Sequence, residues 1–436
     1  MYRNSELIRF LDSYADGGIL RLHMPAHNGK ALNSSLSRAY ALDITEISGA
    51  DSLFESDGII ADGETRTARL YGSGSSCWSA SGSTLCIQGM LAKMRTEGRT
   101  VVSARTVHRA FLNACILLGL SVEWVFPIAG DVISGEYQLD AFEEKLHKLT
   151  KQGQKACIYV TSPDYRGKMQ NISELAELCR KYDARLLVDN AHGAHLAFLQ
   201  KNQHPINLGA DYCCDSFHKM LPSLTGSAVL HSRFEEAREL KQYMQMFGST
   251  SPSYLLMRSI DEAVAWLEKD GISAVKKAEQ RAVKIRERIP YDWLGDDPFH
   301  LTISANGIDF ANQLRKHHAE PEYADSACCV MLLSPVMAES DFSRLESILT
   351  ACNPIAPMKI PPLPKPPETA CDMRTACFSE WEMIPIEQAE GRICATVQVP
   401  CPPAVPMVMS GEIFDKNWID YMRYFGLEKV ATIKKI

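Results

Sequence analysis

A lysine and an aspartate thirty residues apart are the side chains of this sequence with the most specific chemical potential. Asp189 closes the apolar run Leu186-Leu-Val-Asp189, and Lys219 closes the segment Asp215-Ser-Phe-His-Lys219, which follows a second apolar run. Pyridoxal phosphate requires these two groups, because its aldehyde forms an imine with a lysine and its ring nitrogen stays protonated beside a carboxylate. The pair therefore predicts a pyridoxal phosphate site. We expect Lys219 to be desolvated there, which would favour its neutral, nucleophilic amine.

Two further segments could serve the same cofactor, although each also has an ordinary structural explanation. Gly82-Ser83-Thr84 precedes the helical run Leu85–Met94, and a helix N-terminus with two hydroxyls can bind a phosphate. Serine and threonine also cap helices routinely, so this segment alone is a weak indication. His108 follows a predicted strand, and its imidazole could stack on a flat ring. A lone histidine is more often structural.

Three competing chemistries lack residues that they require. A serine hydrolase needs G-x-S-x-G, which the Ser- and Gly-rich stretch 72–83 does not contain. Asp189-Asn-Ala-His192 resembles the acidic box of a helicase-type NTPase, but no G-x-x-x-x-G-K-[ST] loop precedes it. His192 and His195 suggest a metal pair, yet the glycine between them interrupts the helix that H-E-x-x-H needs. We therefore expect no catalytic metal.

Alternating strand and helix patterns position these residues. Strands are predicted at Thr100–Ala104, Val122–Phe126, Ala156–Thr161, Arg185–Asp189, Tyr212–Asp215 and Ser227–Leu230. Ser173 is the expected cap of a helix at Ile172–Tyr182, and Ser251 is the expected cap of a helix with Pro252 in its first turn. This alternation favours a mostly parallel sheet with helices on both faces. Ligands of such sheets bind beyond the carboxyl ends of the strands.

The composition favours a large globular protein. The chain has 436 residues, a net charge of −7 and 46% hydrophobic residues, which suit a large and a smaller domain. We expect residues 1–290 to form an N-terminal segment and a large cofactor-binding domain, and residues 291–436 a small domain with a Pro-rich connector at about 354–367. Nothing indicates a nucleic-acid partner or a membrane span. No secretory signal is recognised and the 14 cysteines are expected to be reduced, which indicates a cytoplasmic protein.

Taken together, these segments resemble the Orn/Lys/Arg decarboxylase family, pyridoxal phosphate enzymes of the aspartate-aminotransferase-like fold. The resemblance covers most of the chain, and a set of motifs in this order is highly specific. It implies a mostly parallel seven-stranded sheet with flanking helices and a smaller C-terminal α+β domain. The motifs are His23-Met-Pro-Ala-His-Asn-Gly29, Asp43-Ile-Thr-Glu-Ile47, Asp51-Ser-Leu-Phe54, Gly82-Ser-Thr84, Arg105-Thr-Val-His-Arg109, Thr161-Ser-Pro-Asp-Tyr-Arg-Gly167, Asp189-Asn-Ala-His-Gly-Ala-His195, Ser216-Phe-His-Lys219, Phe247-Gly-Ser-Thr-Ser-Pro-Ser-Tyr-Leu-Leu-Met257, Ala389-Glu-Gly-Arg-Ile-Cys-Ala395 and Pro402-Pro-Ala-Val-Pro406.

The resemblance also implies a role for each site residue. Lys219 would bind the cofactor covalently, and Asp189 would pair with its ring nitrogen. His108 would stack on the ring, and His192 would lie close to it. The cofactor phosphate would be held by Gly82, Ser83, Thr84, Ser216 and His218, together with Ser249 and Thr250 of a neighbouring subunit. Such a site implies a homodimer with shared active sites.

Several positions depart from the family pattern, but none removes the lysine, the aspartate or the phosphate-binding hydroxyls. The resemblance implies decarboxylation of lysine, arginine or ornithine to the amine and carbon dioxide. The departures leave open a substrate other than these three amino acids, or a non-catalytic regulatory protein. Another pyridoxal phosphate reaction, such as transamination or elimination, is a further alternative. The departures are Ala26 for glycine, Asn28 for lysine, Ala110 for serine, Asp164 for threonine, Asn190 for glutamate, Gly248 for glutamine and Ala404 for glycine.

Overall fold

Helices and strands are given for residues 5–30, 34–397, 399 and 404–434, the part of the chain that the computed structural model describes. The strands are β1 (Ser75–Ser79), β2 (Arg99–Ala104), β3 (Val122–Val125), β4 (Ala129–Gly130), β5 (Gly135–Glu136), β6 (Lys155–Thr161), β7 (Arg185–Asp189), β8 (Tyr212–Asp215), β9 (Ala228–Ser232), β10 (Trp293–Leu294), β11 (His300–Ser304), β12 (Tyr323–Ala324), β13 (Cys328–Leu332), β14 (Trp381–Pro385) and β15 (Lys429–Ile433). The α-helices are α1 (Glu6–Asp16), α2 (Ser37–Leu42), α3 (Ile59–Tyr71), α4 (Gly82–Thr96), α5 (Arg109–Leu118), α6 (Leu139–Lys151), α7 (Ile172–Lys181), α8 (Phe217–Met220), α9 (Ala237–Gln245), α10 (Tyr254–Trp266), α11 (Ile272–Arg288), α12 (Gly307–Lys316), α13 (Glu339–Ala351), α14 (Met373–Phe378) and α15 (Lys416–Tyr424).

A seven-stranded sheet has the strand order β1-β9-β8-β7-β6-β2-β3. β2 is parallel to β3 and β6, and β7 is parallel to β8. β9 runs antiparallel to both of its neighbours, β1 and β8. The predicted mostly parallel sheet is confirmed, and all of the predicted strands occur within about two residues of their expected bounds.

The strand β1 is the member of this sheet that the sequence patterns do not predict, because Ser75-Ser-Cys-Trp-Ser79 resembles a loop in composition. All of its residues are nevertheless buried. The carboxylate of Glu64 accepts a hydrogen bond from the Trp78 amide at 2.9 Å, and Trp78 Nε1 donates to Thr67 Oγ1 at 3.0 Å. Buried polar partners therefore allow a serine-rich segment to take a place in the sheet.

Two helix caps differ from the predicted ones. Asn171 caps α7, because its side chain accepts a hydrogen bond from the amide three residues on; the prediction of Ser173 is wrong. Ser253 caps α10 in the same way, so the prediction of Ser251 is wrong and Pro252 lies before the helix. Composition does not distinguish two nearby polar residues, whereas the backbone conformation ahead of the first turn does.

The chain forms two compact units that interleave along the sequence. The first comprises the residues up to Lys93, Leu187–Arg281 and Leu333–Ala338; the second comprises Met94–Leu186, Ala282–Leu332 and the residues from Glu339 onward. In the first unit, α1, α3 and α10 pack together, and α3 and α9 pack against β1. The division of the chain near residue 290 stays a prediction.

The second unit contains an antiparallel sheet in the order β10-β11-β13-β12 and an antiparallel pair of β14 with β15. Residues 354–367 form neither helix nor strand, as predicted, and Trp418 Nε1 donates to the Lys365 carbonyl at 2.8 Å. The cysteines among the described residues are free thiols, and all except Cys371 and Cys377 are buried, as predicted. Within the described ranges, no helix has the length and apolarity needed to cross a membrane.

Candidate active site

The carboxyl ends of three strands meet at one edge of the sheet in the first unit. β7 and β8 are parallel neighbours with Asp189 beside Cys214, so both end at that edge. Because β9 is antiparallel to β8 and to β1, the strand β1 runs in the same direction as β8 and also ends there. Asp189 is the last residue of β7, and the segments that follow β8 and β1 carry Lys219 and Gly82. The fold thus brings together residues that the sequence patterns predicted for one site.

Asp189 is a buried carboxylate at the end of β7, with an exposed fraction of 2%. Its Oδ1 accepts a hydrogen bond from the Ala191 amide at 3.2 Å, and the thiol of Cys214 donates to the same oxygen at 3.6 Å. Burial raises the pKa of the Cys214 thiol, so the thiol stays protonated and remains a donor. These two donors fix the orientation of the Asp189 side chain.

Lys219 lies in the short helix α8, just beyond the end of β8. Its Nζ is 3.0 Å from Nε2 of His192, so the amine and the imidazole share a hydrogen bond. His192 is buried, but Lys219 is exposed. The prediction that Lys219 is desolvated is therefore wrong for the single chain, because α8 places the lysine at the open edge of the sheet. The site pairs an accessible amine with an imidazole that can exchange a proton with it.

The turn after β1 leads into the helix α4 through a left-handed glycine, Gly82. Gly82 has a φ of +68°, and a Cβ at this position would meet no atom within 4 Å. Its amide donates to the Gly226 carbonyl at 2.7 Å, so this amide is committed to a tertiary contact. The helix α4 begins here, and the first amides of a helix have no intrahelical acceptor. The amides of Ser83 and Thr84 are therefore the ones suited to a phosphate.

Ser216 and His218 lie between β8 and Lys219. The hydroxyl of Ser216 is buried and makes no hydrogen bond with any described residue. A buried polar atom without a partner indicates a place for a ligand group, and a phosphate oxygen fits a hydroxyl donor. His218 Nδ1 is 2.9 Å from the Ser227 carbonyl, so Nδ1 carries a proton. Burial lowers the pKa of His218, and in the neutral form Nε2 accepts rather than donates, so His218 would bind phosphate only as the imidazolium.

These residues fit pyridoxal phosphate. A lysine amine, a buried carboxylate, an unsatisfied serine hydroxyl and a helix N-terminus lie at one edge of one sheet, and they correspond to the aldehyde, the ring nitrogen and the phosphate of that cofactor. The chemistry of the donor set therefore agrees with the sequence prediction.

The remaining predicted site residues stay predictions. Ser249 and Thr250 follow α9 in the first unit and are exposed; Ser249 Oγ accepts a hydrogen bond from the Ser251 amide at 3.1 Å. His108 belongs to the second unit and is the N-cap of α5, where its Nδ1 accepts from the Ala110 amide at 3.2 Å. Their contacts with a cofactor are part of the proposal below.

A cluster of ionisable side chains that the sequence patterns do not predict also lies in the first unit. Asp215 ends β8, and its Oδ2 is 3.0 Å from His204 Nε2 and 3.3 Å from His231 Nε2. Its Oδ1 accepts a hydrogen bond from Asn190 Nδ2 at 2.7 Å. The one signal in the sequence is an aspartate that closes an apolar strand. Its partners are 11 residues before it and 16 after it, and only the fold brings them together.

Two family models together match most of the chain. The model of the Orn/Lys/Arg decarboxylase major domain matches residues 7–321, and that of the Orn/Lys/Arg decarboxylase C-terminal domain matches residues 362–431. This chain belongs to the Orn/Lys/Arg decarboxylase family. The first match spans every predicted site residue, so the resemblance seen in the motifs is confirmed.

Curated relatives and solved structures agree with membership of the Orn/Lys/Arg decarboxylase family. The arginine decarboxylase of Halalkalibacterium halodurans is 26% identical over 94% of this chain and 91% of its own length. The arginine decarboxylase of Bacillus subtilis is also 26% identical, over 94% of this chain and 91% of its own length. The solved structure of the Francisella novicida lysine decarboxylase has a TM-score of 0.83 at 16% identity and covers 99% of this chain and 81% of that one. The predicted fold class is confirmed.

Three departures of this member from the family pattern have structural explanations. The amide of Asn190 donates to the carboxylate of Asp215, whereas a glutamate there would bring a second carboxylate against it. A Cβ at Gly248 would lie 2.4 Å from Cζ of Phe54, so the aromatic ring fills the space of a side chain at position 248. Asp164 accepts hydrogen bonds from the amides two and four residues on, at 2.9 and 3.0 Å, and so closes a turn.

Two other departures of this Orn/Lys/Arg decarboxylase family member occur where the backbone is left-handed. Asn28 has a φ of +54° and Ala404 a φ of +57°. Asparagine tolerates this region, whereas alanine loses about 1–2 kcal/mol there relative to ordinary backbone conformations. The Ala404 carbonyl accepts a hydrogen bond from the Arg109 amide at 3.0 Å. Pro402 and Pro403 of the same motif lie outside the described residues.

Proposed function

We propose that this chain is a pyridoxal-phosphate-dependent decarboxylase that converts lysine, arginine or ornithine to the corresponding amine and carbon dioxide. The observation that carries the proposal is the accessible Lys219 amine, 3.0 Å from His192 and at the same sheet edge as the buried Asp189 carboxylate. Family membership supports the reaction, and relatives named arginine or lysine decarboxylase support a basic substrate.

Each part of the cofactor would be held by different residues at this edge of the sheet. Lys219 would hold the aldehyde, Asp189 the ring nitrogen, and Ser83, Thr84 and Ser216 the phosphate. When bound, pyridoxal phosphate supplies an electron sink for the electron pair that remains when the carboxylate leaves as carbon dioxide. Gly82 and His218 would support the phosphate, His218 when protonated, and His108 would stack on the ring.

The contact between His192 and Lys219 accounts for the proton transfers. A lysine amine must lose a proton before it can attack a carbonyl carbon, and the imidazole Nε2 lies within hydrogen-bonding distance of Lys219 Nζ. After carbon dioxide leaves, the substrate carbon needs a proton. The same amine and imidazole can supply it, because each can carry the proton that the other releases.

The environment of Arg392 removes one candidate for the arginine that an aminotransferase would need. An aminotransferase holds the substrate carboxylate with an arginine, whereas a decarboxylase leaves the departing carboxylate loosely bound. Arg392 belongs to a family motif, but its Nη2 donates to Glu382 Oε1 and to the Ile433 carbonyl, both at 2.7 Å. Its guanidinium is therefore engaged in the packing of the C-terminal region.

The proposal includes a homodimer with shared active sites in a cytoplasmic protein. Ser249 and Thr250 are exposed in the single chain, which suits residues that complete the site of another subunit. The partner would be a small-molecule amino-acid substrate, with no nucleic-acid or membrane partner.

Two measurements on the purified protein test the proposal. We expect the visible absorbance of enzyme-bound pyridoxal phosphate, and carbon dioxide release from at least one amino acid of a panel that includes lysine, arginine and ornithine. Lys219→Ala should lose both signals, because it removes the amine that binds the cofactor. Lys201→Ala removes an exposed lysine of the same unit and should keep both.

Each alternative predicts a different outcome of these measurements. Formation of a keto acid without carbon dioxide would identify an aminotransferase. Bound cofactor without turnover of any amino acid would favour a regulatory protein. Failure to bind pyridoxal phosphate would refute the whole proposal.

A further inference from the structure

His204, Asp215 and His231 form a buried cluster of metal-ligating side chains in the first unit. The three side chains have no exposed surface, and the ligand atoms that they offer all lie within 4.8 Å of one another. Among the described residues, this is the one group of three or more histidine, cysteine, aspartate or glutamate side chains whose ligand atoms converge in this way. The cluster does not include His192 or His195, the pair for which the sequence led us to expect no metal.

The separations between these atoms match the coordination shell of zinc. Asp215 Oδ2 is 3.0 Å from His204 Nε2 and 3.3 Å from His231 Nε2. Ligands about 2.0–2.1 Å from a tetrahedral zinc ion lie about 3.3 Å from one another. The contact between Asp215 and His204 has hydrogen-bonding geometry, whereas the 3.3 Å contact of the buried His231 Nε2 is longer and lacks that geometry. Both separations from Asp215 Oδ2 match those between two ligands of one zinc ion, and the two imidazole nitrogens lie within 4.8 Å of each other.

The outer atoms of two ligands are held as they are in metal sites. Asp215 Oδ1 accepts a hydrogen bond from Asn190 Nδ2 at 2.7 Å. His231 Nδ1 is 2.8 Å from Ser76 Oγ, which lies opposite His231 in the pairing of β1 with β9. A histidine that donates from Nδ1 presents a bare lone pair at Nε2, which is the form that binds a metal. The neighbouring residues thus orient the carboxylate and one imidazole toward a common point.

A fourth ligand is close. Cys213 Sγ is 3.9 Å from His204 Nε2. Cys213 lies two residues before Asp215, so both side chains project from the same face of β8, and Cys213 is paired in register with His231. A structural zinc site has four protein ligands and no open position. Cys213 lies outside the group of three convergent side chains, so its thiol would have to move toward Asp215 and His231 to complete such a set.

We propose that His204, Asp215 and His231 bind a structural divalent metal, zinc by the chemistry of the ligands, with Cys213 as the fourth ligand. The ion would join β8 to β9 and to the segment that precedes β8. It would thereby fix the end of the strand immediately before Ser216 and Lys219. The inference concerns the architecture of the site and goes beyond the proposed reaction.

The metal content of the purified, cofactor-loaded protein tests the proposal without any activity measurement. After growth with zinc and dialysis, inductively coupled plasma mass spectrometry should find about one zinc ion per chain. His204→Gln and His231→Gln should each lose most of it. His300→Gln is the matched control, because His300 is also fully buried, with Nδ1 2.6 Å from Asp297 Oδ2, but does not belong to the cluster.

A second variant keeps the test informative if the ligand variants do not fold. Asn190→Ala leaves all the ligands in place and removes only the donor to Asp215 Oδ1, so it should weaken zinc binding about 10- to 100-fold in competition with a chelator. The native protein, stripped by a chelator and titrated with zinc, should bind one equivalent with a rise in its thermal midpoint.

Two results would overturn the proposal. Folded native protein that neither contains nor takes up zinc would show that the cluster is a hydrogen-bonded network. Zinc that persists in His204→Gln and His231→Gln at the level of His300→Gln would show that the metal is bound elsewhere.

Discussion

The substitution Glu412→Gln would test what holds the segment of the second unit that precedes His108. Arg105, three residues before His108, donates from Nη1 and Nη2 to the two carboxylate oxygens of Glu412 at 2.7 and 2.6 Å. The side chains are only 2% and 5% exposed. Glutamine keeps the shape of glutamate, but it removes the charge and turns an NH₂ donor toward one of the guanidinium nitrogens. The guanidinium would then remain buried without an anionic partner.

We expect Glu412→Gln to cause a large loss of stability that is confined to the segments around this ion pair. Removing one partner of a buried ion pair costs about 3–5 kcal/mol, because the other charge stays desolvated. Glu412 also accepts a hydrogen bond from the Met409 amide at 2.6 Å, and Arg105 also donates to the Met407 carbonyl at 3.0 Å. These contacts hold the segment 404–412, so the loss should appear there. Because about 1.4 kcal/mol corresponds to a factor of ten, the equilibrium constant for local opening of this segment should increase roughly 150- to 5,000-fold.

Native-state hydrogen exchange is the suitable assay, because a single free energy of unfolding is not well defined for a chain of two units. Exchange should accelerate in the peptides that cover residues 404–412 and 105–112, since the same ion pair joins both. Peptides of the first unit should serve as an internal reference with unchanged exchange rates.

Two further variants control for the cause. Glu320→Gln breaks the exposed ion pair with Arg315, whose Nη2–Oε1 distance is 2.7 Å, and should change local exchange by no more than about fivefold. Arg105→Met combined with Glu412→Met replaces the buried pair by apolar side chains and should recover most of the loss. If Glu412→Gln leaves exchange in 404–412 unchanged, the ion pair does not hold this segment and the reasoning is wrong.

Two other predictions follow from departures from the family pattern. Burial raises the pKa of Asp164 from 3.8 to about 6, so the folded chain binds this proton more tightly than the unfolded chain, and stability falls as the pH rises from about 4 to about 6. The cost of ionising the buried Asp164 side chain lowers the stability of the folded chain by up to about 3 kcal/mol at pH 7, and Asp164→Asn should remove this cost. The thermal midpoints of the variant at pH 5 and pH 7.5 should therefore lie closer together than those of the native protein. An unchanged pH dependence would contradict the reasoning. Gly248→Gln should destabilise the first unit by about 1–3 kcal/mol through collision with Phe54, measured as faster native-state hydrogen exchange there, and Phe54→Ala in the same chain should recover part of that loss. If the two effects simply add, the collision is not the cause.

The strands of the sheet were predictable where the chain has compact apolar runs. Leu186–Asp189 and Tyr212–Asp215 are short apolar runs that end in a polar residue. Such runs are typical of the strands of a parallel sheet, because these strands are buried on both faces. The serine-rich β1 was not predictable, because its burial depends on Glu64 and on its pairing with β9, which are remote in sequence. The helix caps were predictable as regions but not as residues, since the choice depends on backbone angles.

The candidate site shows the same division. Lys219, Asp189 and the segment Gly82–Thr84 were identified from residue types and spacing, because the groups that a pyridoxal phosphate site needs are few and chemically distinct. The exposure of Lys219 and its contact with His192 were not predictable, since the direction of α8 decides them. The zinc proposal arises entirely from positions that the fold brings together.

The sequence by itself determined the family, the apolar strands of the sheet and the amine–carboxylate pair, because local patterns and short motifs encode them. The tertiary structure alone decided which polar atoms are buried together. His204, Asp215 and His231 come from different segments, and their atoms converge only when β8 and β9 pair. Contacts between distant segments depend on how whole elements pack, and no local spacing in the chain records that packing.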